Sequence, residues 1–529
     1  MDESQHGFRA GRSPTSALLP LVSAVIGGFN ERKPAKRTVA VQLDLSKAFD
    51  SVNHDLLLQK LSATTLQHNI IRWLATFLKG REQSVIYNGL RSPFKHVHLG
   101  VPQGAVLSPT LFNFYVANFP VLQCSKSSFA DDFTLSTSDT NIEAAVDRLN
   151  SDLSLVSRWA EEVDLNIAPS KSSVTLFTSN PHEHHHHPQV KMEEIVDMGG
   201  VFGHVALDRV LPLAKQPKIL GVKLDPHFTF SPHAREVARS CTERLKIMKA
   251  LAGTSWGQDS KTLLITYKAL IRSKMDYAAP VWVPNVKPTP LARLQSIQNA
   301  GLRIATGALK MTPPDHLHSE AKMLKVDEHL KLLAAQYLAS ALRETHPMFP
   351  TVTELPGPRN LKTNLQDAFF VDVAPYLVDG VIPHGHYNDT KNKIHADYVR
   401  RAINSRQGNR VLNRTAPPLH SSESRLPRAH RSVMAQLRSG YCSSLNSYLV
   451  RVGRADSSTC PQCGVDEHTS VHLFNCINNP TNLDPIDLWL RPSESASFLS
   501  SLPPFSHLPP LAPPPPPPQP PRPPPEPPP

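Results

Sequence analysis

Over residues 1–180 the apolar positions switch repeatedly between helical spacing and strict alternation, which predicts an α+β layer. In SPTSALLPLVSAVI, Ser13 reads as a helix cap and Pro14 as the first helical position. RTVAVQLDL (residues 37–45) is apolar at Val39, Val41, Leu43 and Leu45 and predicts a strand. HDLLLQKL and NIIRWLATFLKG predict helices, the second closed by Gly80. QSVIYNG and SPFKHVHLG pair around a turn at Asn88 and Gly89. GAVLSPTLFNFYVANF reads as a buried helix and KSSFADDFTLSTS (residues 126–138) as a strand. Thr140 and Glu143 propose a capping box ahead of Ile142, Val146, Leu149, Leu153, Val156 and Ala160, which are spaced for a helix.

Further along, NPHEHHHHPQV (residues 180–190) is an irregular insertion, read as a solvated loop with a weak metal-binding run as the other possibility. PKILGVKLD (residues 217–225) predicts a strand. Three amphipathic stretches punctuated by Gly and Pro then predict a small helical bundle over 229–330. Residues 331–430 are mixed and Pro-interrupted, and no fold follows from their pattern. Residues 500–529 are mostly proline and predict an extended, disordered tail, inert or docked by an aromatic groove on a partner domain.

The chain has 529 residues, 40% of them hydrophobic, enough for several domains with a sizeable core. Its net charge of +11 favours a polyanionic partner, nucleic acid or an acidic membrane. Six cysteines are too few for a disulfide scaffold and point to a reducing compartment. No apolar run reaches the ~18 residues of a membrane span, and SALLPLVSAVIGGF lacks the basic flank of a signal peptide. The expectation is a soluble intracellular protein without a membrane partner.

Asp131 and Asp132 change this picture. Aspartate is depleted from strands, and adjacent carboxylates repel, more so when buried. An ordinary hairpin turn explains one of them; a bound cation explains both. Upstream, Asp44 lies at the end of a predicted strand. Three converging carboxylates would offer hard oxygen donors suited to Mg²⁺ or Mn²⁺. Two such ions ~3.5–4 Å apart hold the attacking and leaving oxygens of a phosphoryl transfer. LGVPQGAVLSPTLF (residues 99–112) carries Gly100, Pro102 and Gly104 before a helix, a loop that lets backbone approach a nucleotide or template.

Taken in order, LDLSKAFDSV, GVPQGAVLSP and FADD resemble a reverse transcriptase. QHGFRAGRS, LNIAPSKSSVTLFT and PKILGVKLD narrow the resemblance to the polymerases of non-LTR (LINE-like) retrotransposons of the Jockey and CR1 kind, over about residues 4–330. The resemblance implies a right-hand polymerase: a palm of antiparallel sheet and helices with partial fingers over 1–228, a helical thumb over 229–330, an unassigned connection over 331–430, and a C-terminal region over 431–480. It implies an RNA template, a DNA primer or target, deoxynucleoside triphosphates and a nuclear location. Asp44, Asp131 and Asp132 look like the Mg²⁺ ligands. Phe49 looks like the wall that excludes a ribose 2′-hydroxyl, with core packing as its other reading. Gln103 and Gly104 resemble the pair that contacts template and nucleotide. Lys171 resembles the lysine that assists the leaving pyrophosphate, a surface lysine being the alternative. Arg9 and Arg12 are candidates for nucleic acid phosphates or a solvated pair.

Departures from the family accompany these matches. The chain opens at MDESQHGF, so an N-terminally truncated frame is expected, without most of the fingers and the basic residues they supply. No ribonuclease H constellation follows residue 330. A catalytically inactive fragment that only binds nucleic acid is therefore the second reading. A two-metal nuclease is a third, but it leaves GVPQGAVLSP unexplained.

The last motif is CPQCGVDEHTSVHLFNC. Cys460, Cys463, His472 and Cys476 follow C-x₂-C-x₈-H-x₃-C, three sulfurs and an imidazole suited to a structural Zn²⁺. His468 is the competing nitrogen. Unrelated reduced cysteines are the plainer alternative. Cys124, Cys241 and Cys442 read as packed thiols. Related elements carry a similar Cys/His module after a stretch like AQLRSGYCSSLNSYL, which implies RNA or DNA binding.

Overall fold

Alternating Val39, Val41 and Leu43 give strand β1 (Arg37–Asp44) a fully buried face. β1 is the third strand of a four-stranded antiparallel sheet, and the computed structural model that shows this describes residues 2–183, 185–197, 204–253, 256–354 and 359–511. His184 of the four-His run and the proline-rich stretch from residue 512 lie outside the described residues.

Helix α1 (Pro14–Asn30) precedes β1 and starts as the sequence predicts. The Ser13 hydroxyl caps it, and Ser16 at its third position donates and accepts in a reciprocal box. After β1 come α2 (His54–Ser62), α3 (His68–Leu78), β2 (Arg81–Gln83), β3 (Ile86–Tyr87), β4 (Leu90–Arg91) and β5 (Lys95–Val97). β3 and β4 turn at Asn88 and Gly89, both at positive φ. Then follow α4 (Ser108–Tyr115), β6 (Ser125–Phe129), β7 (Asp132–Asp139), α5 (Ile142–Glu162) and β8 (Ser173–Phe177). The sheet order is β6-β7-β1-β8. α5 and α4 cover the Val39/Val41/Leu43 face. α1 covers the other, where Ser127 donates to the Ala17 carbonyl at 2.6 Å and Gly28 lies beside Thr38.

Three local expectations are corrected. KSSFADDFTLSTS is not one strand but the hairpin of β6 and β7, turning at Ala130 and Asp131. α5 is capped by Asn141, not by Thr140: the Asn141 side chain accepts from the Glu143 N–H, and Thr140 leaves the strand beside Asp139. PKILGVKLD is not one strand. After β9 (Lys191–Asp197) and β10 (His204–Val210), it folds back as β11 (Lys218–Ile219) and β12 (Val222–Lys223) around Leu220 and Gly221, both at positive φ. Alternation along the segment concealed a Leu-Gly turn in its middle.

The 180–190 insertion is anchored by its acid rather than by its histidines. Glu183 accepts from Arg37 at 3.0 Å, from the Thr178 hydroxyl and from Asn180, and these partners hold its carboxyl down at about 2.

The chain divides into two compact units: residues 1–238, 276–292 and 327–399, and residues 239–275, 293–326 and 400–529. The first contains the sheet and also takes up most of the stretch that had no predicted fold, as the helices Phe349–Thr353 and Leu365–Val373. α6 (Ser231–Leu251), α7 (Ser260–Tyr267) and the helix Pro288–Thr306 match the three predicted amphipathic stretches.

In the second unit, Gly301 lets two helices approach closely: a Cβ there would stand 2.7 Å from the Tyr267 ring. The same unit encloses Arg438 completely, between Glu320 at 2.7 Å, Glu423 at 2.5 Å and the Leu488 carbonyl. Its C-terminal core joins Leu473, Phe474, Leu488, Trp489, Leu499 and Phe505. Residues 500–511, expected to belong to a disordered tail, are instead packed on this core. Pro492–Ser501 is helical, and Phe505 and Leu508, set among prolines, are buried anchors. Among the described residues no helix is long and apolar enough to cross a membrane.

Candidate active site

Each carboxylate owes its place to a backbone ladder. β1 ends at Asp44, and antiparallel pairing puts Asp132 directly opposite it. Asp131 precedes Asp132 in the two-residue turn that closes β6 on β7. The hairpin-turn and cation readings of the pair are thus not exclusive: the acids do sit at a turn, and the turn faces a third acid.

The electrostatics follow from that placement. Burial first, then the Asp44 charge, push the Asp131 carboxyl above the ordinary aspartate range against a self-directed backbone hydrogen bond that lowers it. Asp132 is pushed up by partial dehydration and by the charges of Asp131 and Asp44. Burial is the larger cause, although the residue keeps an exposed surface.

Lys171 arrives by the continuation of the same ladder. The Ala168 N–H donates to the Asp44 carbonyl at 3.0 Å, and the Asp44 N–H donates to the Ser172 hydroxyl at 3.2 Å. The turn between them carries Lys171, whose Nζ is 3.9 Å from the Asp44 carboxylate. Both side chains are exposed, so their attraction is weak.

Phe49 stacks on Phe112 of α4, centroids 4.5 Å apart, and meets the edge of Phe8. It is partly buried and packs against the core cluster. Gln103 is exposed and donates to the Asp50 carboxylate at 3.0 Å. Gly104 has φ +92° and open space where a Cβ would be. Gly100, at φ +81°, leaves no room for a side chain: a Cβ would lie 2.7 Å from the Asp50 carbonyl oxygen. That close approach joins the loop to the turn after β1, through N–H bonds from Gly100 to Val52 and from Val101 to Phe49. Arg9 and Arg12 both turn to Glu3, at 3.6 and 2.5 Å, and the Arg12 partnership holds the Glu3 carboxyl low.

One contributor was missed in the sequence. The Gln5 carboxamide accepts from Ala130 N–H at 2.9 Å and donates to Ala130 O at 3.1 Å, gripping the turn that carries Asp131. Only the quoted QHGF, a glutamine two residues before a glycine, could have signalled it.

The second unit carries the Cys/His site. One donor atom each from Cys460, Cys463, His472 and Cys476 lies within 4.8 Å of all the others. Cys460 and Cys476 sulfurs are 4.0 Å apart, and Cys463 Sγ is 3.4 Å from His472 Nε2. A tetrahedral Zn²⁺ with ~2.3 Å Zn–S and ~2.0 Å Zn–N bonds spaces its donors about 3.5–3.8 Å apart, so the set fits. Backbone N–H groups of Asp466 and Val465 lower the Cys463 thiol to about 7. The His472 Nδ1 is 3.5 Å from Asp466, a partner that can orient the ring. His468 does not join the set: the donor atoms that lie together are those of the three cysteines and His472, while the His468 Nδ1 accepts from the Asn446 N–H at 3.2 Å. The three carboxylates of the first unit do not draw together as closely as this set.

Residues 1–224 match the family profile described as "Reverse transcriptase (RNA-dependent DNA polymerase)". The chain is 27% identical over 383 residues to a probable RNA-directed DNA polymerase from transposon X-element of Drosophila melanogaster, over 68% of this chain and 39% of that protein. It is 27% identical over 344 residues to the RNA-directed DNA polymerase from mobile element jockey of Drosophila funebris, over 63% of this chain and 35% of that protein. The matched region thus spans under two-fifths of these relatives' length. A solved Candida tropicalis telomerase, in complex with a fragment of telomeric RNA, aligns over 74% of this chain and 53% of its own at 9% identity, with a TM-score of 0.32.

Proposed function

We propose that this chain, whose residues 1–224 match the reverse transcriptase family profile, is the RNA-directed DNA polymerase of a jockey-like non-LTR retrotransposon. In this reading it extends a DNA 3′-hydroxyl with deoxynucleoside triphosphates on an RNA template, in the nucleus. The observation that carries the reading is the Asp44–Asp132 rung with Asp131 beside it.

Asp44 and Asp132 on one rung, with Asp131 in the adjoining turn, supply hard oxygen donors of the kind that suits Mg²⁺ or Mn²⁺. Bound there, such ions stabilise charge on the attacking and leaving oxygens of a phosphoryl transfer. The chain's own groups position the substrates. Asp44, Asp131 and Asp132 hold the ions. Lys171, beside Asp44, supplies positive charge or a proton to the departing pyrophosphate. Phe49, braced by Phe112, bars a ribose 2′-hydroxyl. Gln103 and Gly104 meet template and nucleotide, the glycine leaving the backbone uncovered. Arg9 and Arg12 reach phosphates by exchanging Glu3 for them. The helices within 229–330 serve as thumb, gripping the duplex by its backbone. The Zn²⁺ module adds contact to RNA or DNA.

Primer extension on poly(rA)/oligo(dT) with Mg²⁺ or Mn²⁺ tests this. Wild type extends the primer; Asp131→Ala abolishes extension while template binding persists. Equal loss of extension and binding assigns Asp131 a structural role, and binding without extension by the wild type leaves a nucleic acid-binding fragment.

A further inference from the structure

The turn that carries Asp131 is an unfavourable one. Ala130 has φ +57°, the left-handed region that an L-residue other than glycine, asparagine or aspartate adopts at a cost. Such a conformation persists only where the surroundings over-determine it, and it gathers at functional sites. Here the surroundings are residues 4–7.

Gln5 pairs with Ser128 as a parallel bridge: the Ser128 N–H donates to the Ser4 carbonyl at 2.9 Å, and the His6 N–H donates to Ser128 at 2.8 Å. This register sends the Gln5 side chain to the end of β6. Its Oε1 accepts from the N–H groups of Ala130 and Gly7, at 2.9 and 2.8 Å, and its Nε2 donates to the Ala130 carbonyl. Both backbone groups of the left-handed residue are thus satisfied by one side chain that is only 3% exposed. Gly7 is required by the same contact, since a Cβ there would stand 2.3 Å from the Ala130 nitrogen. Asn113 of α4 braces the arrangement by donating to the Gly7 carbonyl at 2.9 Å.

We propose that Gln5 is a positioning residue for the acidic pair: its carboxamide locks the Ala130 turn, and the turn aims Asp131 and Asp132 at Asp44. The proposal rests on the reading of these acids as a divalent-cation site. A glutamine used only for stability would have no bearing on cation affinity. One that aims ligands behaves like other groups that orient metal ligands, whose loss weakens binding ~10–100-fold.

The test uses the full chain with Mn²⁺ alone as the probe, titrated by electron paramagnetic resonance, with thermal midpoints and hydrogen exchange of residues 125–139 in parallel. Wild type binds Mn²⁺ in a manner that Asp131→Asn abolishes. Gln5→Met, close in size but without hydrogen bonds, weakens Mn²⁺ binding about 10-fold and speeds exchange at Ala130. Gln5→Glu keeps both accepted bonds, loses the donated one, and falls between. Should Gln5→Met fail to fold, Gln5→Glu decides by the same readings. A folded Gln5 variant with faster exchange but wild-type Mn²⁺ affinity overturns the proposal while leaving the cation site intact. Absence of any Asp131-dependent Mn²⁺ binding in the wild type overturns the cation site, and the proposal with it.

Discussion

Asp44 and Asp132 form the last rung of the β1–β7 ladder, two carboxylates at directly opposed positions with Asp131 one residue away in the turn. Like charges opposed across strands destabilise a sheet. The raised proton affinities of Asp131 and Asp132 express the same repulsion together with burial. A carboxyl whose affinity is raised by folding favours the native state below the ordinary aspartate range, and that contribution is lost as pH rises. Asp132→Asn is therefore expected to raise the thermal midpoint at pH 7 by about 2 °C and to give no gain near pH 3, while abolishing primer extension. A lower midpoint at pH 7 would show that the ionised pair stabilises the fold.

Glu183 works in the opposite sense. Its hydrogen bond with Arg37 first, then those from Thr178 and Asn180, bring its carboxyl to about 2 against the dehydration that opposes them. Its contribution is fully present above the ordinary glutamate range and is lost as pH falls through about 2. Glu183→Gln should lower the midpoint at pH 7 by about 2–4 °C and leave it unchanged near pH 2. Equal losses at both pH values would mean that shape rather than charge anchors the insertion.

Arg438 is the fully buried charge of the second unit, held by Glu320 and Glu423. Removing one member of a buried ionic cluster strands the others. Arg438→Met is expected to destabilise by about 3–5 kcal/mol in denaturant unfolding of the full chain. Adding Glu320→Gln and Glu423→Gln should recover much of that loss. A near-neutral Arg438→Met would place the stability of this core in its apolar contacts alone.

The Cys/His site predicts an asymmetry between two histidines that spacing left in competition. Zn²⁺ content measured on reduced protein should be about one per chain, retained in His468→Ala and lost in His472→Ala. Cys476→Ser should release the metal and loosen the core around Phe474. Retention by His472→Ala with loss in His468→Ala would reverse the ligand assignment.

Most of the secondary structure around the carboxylates was legible in the chain, because it rests on short-range rules. Period-two apolarity in 37–45 is enough for a strand, Ser13-Pro14 for a helix start, and Asn88-Gly89 for a hairpin turn. The same locality misled at PKILGVKLD, where alternation outweighed the Leu-Gly turn, and at the proline-rich end, where Phe505 and Leu508 anchor residues that composition marks as disordered. Ordered motifs also brought out the candidate acids, since two adjacent aspartates in a strand are an electrostatic liability that asks for a reason.

What no local pattern contains is register and partnership. That Asp132, rather than Asp131, opposes Asp44 depends on how β1 slides against β7, a choice made by the buried faces of both strands together. That His472 rather than His468 closes the Cys/His set depends on which ring the fold brings among the three sulfurs. That Gln5 grips Ala130 depends on a bridge between residues 123 positions apart. Sequence thus determined which residues could carry the chemistry, because side-chain type and spacing are properties of the chain. The tertiary structure alone decided which of them meet, because hydrogen-bond registry and burial are settled only when distant segments compete for the same partners.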